Sequence, residues 1–287
     1  MFTFFKKLRK KPAPAEVSGT PEPVFTFSGW VVSDLGRVRE NNEDNFLLGP
    51  HYNTDSRDHI TASHSAPEGW TLAGVFDGMG GGEAGELASR AAAEACLERF
   101  SALPGDAGEK LVEQALRRAY LEANNRIQAL HSQYRVFGTT GTVLCTDGRR
   151  FKLFHLGDSR SYLLRDGQLT QLTKDQTLAQ MKLEMGLYDE NDPQAQAEKH
   201  KLTEFIGRDW TRENLKPTET VWDPIHPGDM LLLCSDGLYD LCTDGEILEI
   251  LTGEGTPEEK ARALTDAAIA AGGHDNITCL ITVFSGQ

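Results

Sequence analysis

The sequence predicts an α+β fold whose body is antiparallel sheet with helices laid against it. Three observations carry that expectation. Short apolar strands follow one another in runs, whereas a doubly wound parallel sheet would alternate them with helices. Asp147-Gly148 and Asp166-Gly167 stand between apolar runs as two-residue hairpin turns, which make the flanking strands antiparallel neighbours. Helical apolar spacing is confined to a few segments, near 83–100, 109–130 and 257–271.

In chain order, residues 1–24, MFTFFKKLRKKPAPAEVSGTPEPV, differ in kind from the rest, with five Lys and Arg against two Glu. Aromatics precede the basic cluster and no apolar core follows it, so the segment does not read as a signal peptide. A disordered, Pro-rich leader is expected. Its Phe2, Phe4 and Phe5 beside basic residues would touch an anionic membrane surface only weakly. The folded domain is expected over 25–287. NFLL at 45–48 and LAGVF at 72–76 read as buried strands. A helix from about Glu83 to Phe100 would place Leu87, Ala91 and Ala95 on one stripe, with Ala84, Ala88 and Ala92 beside it. A second, from about Glu109 to Leu130, would bury Leu111, Ala115, Leu116, Ala119, Ile127 and Leu130. The strands TTGTVLCT, FKLFHLG and RSYLLRDGQLTQL follow. Between Lys174 and Pro217 the pattern loosens, with Gly186, Pro193 and Gly207 interrupting short helical pieces. Such an excursion from a scaffold often carries selectivity. The strand MLLLCS, a helix from about Pro257 to Ala271 and the strand NITCLITVF close the chain.

Composition narrows the function. The 287 residues are 39% hydrophobic and 25% charged, with net charge −14 and pI near 5.0. A general nucleic-acid binder would carry a basic face instead. No apolar run approaches the ~20 residues that cross a bilayer. Five dispersed cysteines, with no CxxC pair, fit neither a zinc site nor a disulfide framework, and point to the cytoplasm.

The stretch VFDGMGGGEAGE, 75–86, joins an acid to bare backbone at the end of a buried strand. It lacks the G-K-[S/T] of a nucleotide-binding loop. Most Asp-Gly pairs are turns, and the two hairpin pairs above are satisfied by the strand that follows each. Asp77-Gly78 and Asp236-Gly237 close strongly apolar strands with no matching return strand. Glu43-Asp44 and Asp275 each precede a strand, and Asp158 follows one. Carboxylates gathered at strand ends would repel unless a cation relieved them. All-oxygen ligands and glycine-thinned backbone suit Mg²⁺ or Mn²⁺ better than zinc. Asp77 therefore reads as a metal ligand, with Gly78 letting the ion approach the backbone and Glu83 and Glu86 disfavouring a bare phosphate. Arg39, within GRVRENNED, would offer a planar fork for a phosphoryl group.

These residues resemble the metal-dependent serine/threonine protein phosphatases of type 2C, in their bacterial form. GRVRENNED at 36–44, VFDGMGG at 75–81, FGTTG at 137–141, HLGDSRSYLLRDG at 155–167, LCSDGLYD at 233–240 and HDNIT at 274–278 occur in the family's order. Together they cover about residues 28–284. The resemblance implies an αββα sandwich of two antiparallel sheets flanked by helices, with a binuclear Mn²⁺ or Mg²⁺ site at one rim. It implies that Asp77 bridges both ions, Gly78 offers its carbonyl, and Asp236 and Asp275 complete one shell. Glu43 and Asp44 would hold metal-bound waters, Arg39 the substrate phosphate and Asp158 a third ion, while Thr139 and Thr140 are given a structural role. The implied reaction is hydrolysis of phosphoserine or phosphothreonine by a hydroxide shared between two ions. Met79 stands where eukaryotic relatives carry histidine, so a metal-bound water is the expected proton donor. Gln176 likewise replaces a common histidine, and His155 and His274 read as packing or turn residues.

The expected role is that of a monomeric cytoplasmic phosphatase opposing a Ser/Thr kinase. Net acidity would favour substrates with basic residues near the phosphosite. A silent phosphoprotein-binding module and a regulatory phosphatase of an anti-sigma-factor antagonist are the competing readings.

Overall fold

The computed structural model of the chain describes residues 23–54, 59–80, 84–131, 137–189, 192–209 and 215–286. The expected leader lies outside them except for Pro23 and Val24, as does Glu83.

Two antiparallel sheets face each other. The first has six strands, in which β1 (Phe25–Asp34) and β15 (Ile277–Gly286) are paired neighbours. The strand β4 (Ile60–Ala66) flanks β1 on one side. On the other, β14 (Met230–Cys234), β10 (Arg160–Arg165) and β11 (Gln168–Gln171) continue from β15. The second sheet runs β3 (His51–Tyr52), β2 (Asn45–Leu48), β5 (Thr71–Phe76), β8 (Gly141–Thr146), β9 (Arg150–Leu156) and β12 (Thr218–Glu219). The short strand β13 (Asp223–Pro224) also pairs with β9. A small ladder joins β6 (Gly78–Met79) to β7 (Gly138–Thr139).

Side-chain alternation explains the layers. On β1 buried and half-buried residues alternate, and Phe25, Phe27 and Val31 face the opposite sheet. They meet Phe46, Leu144, Leu153 and Leu280 in an apolar layer between the sheets. Strands such as β5, β8 and the middle of β15 are buried on both faces because helices cover their outer sides. Helices α1 (Ala84–Ser101) and α2 (Glu109–Leu130) cover the second sheet. Helices α5 (Asp236–Tyr239), α6 (Asp244–Thr252) and α7 (Pro257–Ala270) cover the first. The remaining pair, α3 (Leu178–Glu184) and α4 (Pro193–Glu198), lies in the excursion between β11 and β12. The architecture is the αββα sandwich.

Several local expectations need correction. Only Asp166-Gly167 is a two-residue turn, with φ of 52° and 74°, the left-handed geometry such hairpins demand. The Asp147 turn is longer: Thr146 pairs with Phe151, leaving four residues, 147–150, between them, and Asp147 Oδ1 accepts from the backbone N–H of Arg149 and Arg150. On α1 the fully buried stripe is Ala88, Ala92, Ala95 with Ala93 and Cys96, and Leu87 and Ala91 are half-buried. On α2 Leu111 is 41% exposed; Val112, Leu116, Tyr120 and Ile127 form the buried face. Tyr120 locks that face to the sheet, its hydroxyl reaching the carbonyls of Gly141 and Phe154 at 3.0 and 2.8 Å. Asp236-Gly237 follows β14 with no return strand, as expected, and opens the short helix α5. Both α6 and α7 start with a capping box, Thr243 with Glu246 and Thr256 with Glu259, and α6 is a helix the sequence analysis does not include.

Candidate metal centre

Strand pairing brings the acids together. β5 and β9 both run antiparallel to β8, so Asp77 and Asp158, which follow them, emerge at the same rim. The end of β5 pairs with the start of β2 (Phe76 with Asn45), placing Glu43 and Asp44 beside Asp77. The same logic in the other sheet pairs Cys234 with Cys279, so Asp236 and Asp275 meet. Arg39, Glu43, Asp77, Gly78, Asp158, Asp236 and Asp275 line one cavity of about 570 Å³. Asp44 does not line it. It is 2% exposed and held beneath, its Oδ2 accepting from Ser235 Oγ at 2.6 Å and Thr278 Oγ1 at 2.7 Å.

The acids disturb one another. Burial pushes Asp77 well above the usual carboxylate range, and the charges of Asp44, Asp236, Asp158 and Asp275 push it further. Burial likewise raises Asp44, to about 7, against the hydroxyl bonds that lower it. Asp158, Glu43 and Asp275 are also raised, each chiefly by burial. Arg39 sits at the mouth with Nη2 2.6 Å from Asp275 Oδ2 and Nη1 3.9 Å from Glu43 Oε2. Burial alone would lower its pKa, but these carboxylates raise it on balance.

Three features fit divalent cations. Every acid named offers oxygen. Glu43 Oε1 is buried without a hydrogen-bond partner, a state that costs free energy unless something outside the chain completes it. The backbone is thinned where it crowds the acids: a Cβ on Gly85 would stand 2.7–2.8 Å from the Glu43 carboxylate, and one on Gly78 would strike the carbonyls of Gly85 and Glu43. Gly85 stands in the first turn of α1, so the Glu43 carboxylate lies at a helix N-terminus, where the helix dipole favours an anion. The glycines of VFDGMGGGEAGE thus let a strand end, a helix start and Glu43 approach closely. Glu86 does not guard the cavity; it accepts from Asn41 Nδ2 at 2.9 Å and lines a separate small cleft.

Neighbouring residues set the acids' positions. Thr140 Oγ1 accepts from the backbone N–H of Asp77 at 2.8 Å, and Thr139 Oγ1 donates to the Asp77 carbonyl at 2.9 Å. Gln176 Oε1 accepts from Gly157 N–H at 2.9 Å, just before Asp158. His155 is a buried strut between Thr142 and the Lys174 carbonyl, and burial lowers its pKa to about 4. Met79 and His274 lie on the cavity wall. Sequence reasoning missed Gly85, the Asn276 amide that accepts from Glu43 N–H at 2.8 Å, and above all Lys199 and His200. The last two come from the excursion, where a Lys-His pair in a polar stretch carries no signal of its destination.

Comparison with known proteins identifies the family. The family model described as protein phosphatase 2C matches residues 51–263. The serine/threonine protein phosphatase PstP of Mycobacterium tuberculosis is 36% identical over 254 residues, covering 87% of this chain, which spans only 43% of PstP's length. The serine/threonine phosphatase stp of Listeria monocytogenes is 31% identical, with 87% of this chain and 92% of that protein covered. The catalytic domain of PstP solved in complex with two manganese ions superposes with TM-score 0.69 at 32% identity, covering 91% of this chain and 99% of that one. In fold and sequence alike, the chain belongs to the protein phosphatase 2C family.

Proposed function

We propose that the chain is a metal-dependent protein serine/threonine phosphatase. The observation that carries this reading is the convergence of Glu43, Asp77, Asp158, Asp236 and Asp275 with Arg39 around one cavity, above buried Asp44. Two Mn²⁺ or Mg²⁺ ions bound there would neutralise the acids and activate water for attack on phosphorus at neutral pH. Asp77 and the Gly78 carbonyl, with Asp236 and Asp275, would hold the ions, while Glu43 and Asp44 orient their waters. Asp158 with Asp236 faces a position for a third. Arg39 would leave Asp275 to grip the substrate phosphate with its planar fork. Met79 offers no proton, so the leaving seryl or threonyl oxygen would take one from water in the cavity. Substrates are phosphoproteins, and a cytoplasmic monomer opposing a Ser/Thr kinase is the setting we infer. Among the described residues no helix is long and apolar enough to cross a membrane.

The test is hydrolysis of p-nitrophenyl phosphate and a phosphothreonine peptide with EDTA, Mg²⁺ or Mn²⁺, for the wild type and Asp236→Asn. Metal-dependent turnover lost in the variant is expected. A folded wild type inert with both substrates and both metals would sink the reading and leave a phosphoprotein-binding module in its place.

A further inference from the structure

The excursion returns an imidazole to the acidic rim. His200 Nδ1 lies 3.2 Å from Asp236 Oδ2, and its Nε2 lies 3.2 Å from Asp240 Oδ2. Ligand atoms of His200, Asp236 and Asp158 all lie within 4.8 Å of one another. In an octahedron with bonds of ~2.1 Å, adjacent ligands stand ~3.0 Å apart and opposite ones ~4.2 Å. The three atoms therefore span one such shell after small side-chain shifts. Two further observations point the same way. Asp158 is 5% exposed and lines the cavity; Tyr239 Oη donates to its backbone carbonyl at 3.0 Å, while no side chain among the described residues donates to its carboxylate. Asp240 is placed to accept the Nε2 proton of His200, with its other oxygen 2.9 Å from Lys199 Nζ. A carboxylate holding the far ring nitrogen is the usual support of a metal-binding histidine, because it fixes the tautomer and aims the free lone pair.

We propose that His200 joins Asp158 and Asp236 as a ligand of a divalent cation, and that this bond clamps the excursion onto the rim. The inference rests on the metal-site reading above for the two acids and adds the imidazole to it. One nitrogen among oxygens favours Mn²⁺ over Mg²⁺ at this position. Fixing His200 also fixes α3, because Leu178 N–H donates to the Lys201 carbonyl at 2.8 Å and Thr177 bridges Leu202.

The test uses the full chain loaded with Mn²⁺, with histidine carrying ¹⁴N or ¹⁵N, in the wild type, His200→Gln and Asp236→Asn. Electron spin-echo modulation reads nitrogen bonded to Mn²⁺, equilibrium dialysis counts the ions, and hydrogen exchange reads residues 177–202. The wild type should show isotope-sensitive nitrogen coupling and exchange slowed at least about tenfold by Mn²⁺, the response of a ligand that binds the closed state. His200→Gln should lose both effects and one Mn²⁺, retaining the others. Coupling and ion count unchanged in His200→Gln, or Mn²⁺ speeding exchange as a displaced imidazolium would, overturns the proposal. Asp236→Asn separates the two readings: Mn²⁺ binding there equal to the wild type would overturn the acid site itself.

Discussion

The acidic rim and the excursion from Lys174 to Pro217 meet at one cavity but are built on opposite principles. The rim hangs from strand ends whose neighbours are set by ladder pairing. Glu43, Asp44 and Asp158 are buried and Asp77, Asp236 and Asp275 half-buried, with Ser235 bonded to Asp44 and Asn276 to the Glu43 backbone beneath them. The excursion is held within itself by the bridge of Thr177 with Leu202, at one end by buried Ile206 bridging Thr139, and elsewhere by surface ion pairs such as Lys174 with Glu184. It also exposes Met185 and Leu187 at 63% and 64%. A rigid base can keep several carboxylates closer than they would choose, storing electrostatic strain that a cation relieves. A loosely attached segment can change its contacts at small cost to the sandwich. The difference assigns chemistry to the rim and adjustable contacts to the excursion.

The sharpest way to break that contrast is Asp77→Asn. Activity should fall by on the order of 10³-fold or more, while the metal-free protein becomes more heat-stable, because a buried charge crowded by other acids is gone. A metal-free melting temperature below the wild type's would show that the rim stores no such strain. The second test is pH. Burial raises Asp44 to about 7 and also raises Asp77 and Asp158, so above the ordinary carboxylate range the folded state binds more protons than the unfolded chain. The stability these groups lend is present at low pH and lost as pH rises through the folded value. The metal-free protein should therefore melt several degrees lower at pH 8 than at pH 5, and saturating Mn²⁺ should flatten that slope. A metal-free melting temperature that rises between pH 5 and pH 8 would break this account.

Gly85→Ala sharpens the packing side of the comparison. A free helical position would gain about 1 kcal/mol from alanine. Here the new methyl meets the Glu43 carboxylate, so denaturant titration should show a loss of about 1–3 kcal/mol and turnover should fall with it. Net stabilisation would mean that Glu43 can move aside. The smallest effect belongs to the excursion. Thr177 Oγ1 caps α3 by accepting from Gln180 N–H at 3.2 Å, and Thr177→Ala should weaken that helix by about 1 kcal/mol. Hydrogen exchange in α3 should quicken with no change in the global melting temperature. A global fall would show that the excursion and sandwich unfold as one.

Much of this was legible in the chain. The two long helices were readable from their apolar spacing to within one residue at each end, and the Asp166-Gly167 turn from residue chemistry alone. The acids drew attention because each stands at the end of an apolar strand, where an unpaired charge is expensive. Short helices such as α5 were not legible, since four residues carry no period. Leu111 was misassigned because one position of rotation at a helix start cannot be judged without the surface it meets.

By itself the sequence determined the residue types of the candidate site, the elements that bear them and the antiparallel character of the body, because those follow from local periodicity and residue chemistry; the two-sheet sandwich came from the family resemblance. Only the tertiary structure decided which acids face the cavity and which, like Asp44, lie under it. It alone revealed Gly85 beneath Glu43, and His200 and Lys199 brought back from the excursion. These contacts join residues tens to hundreds of positions apart, and strand register with loop closure, not local preference, fixes where such residues meet.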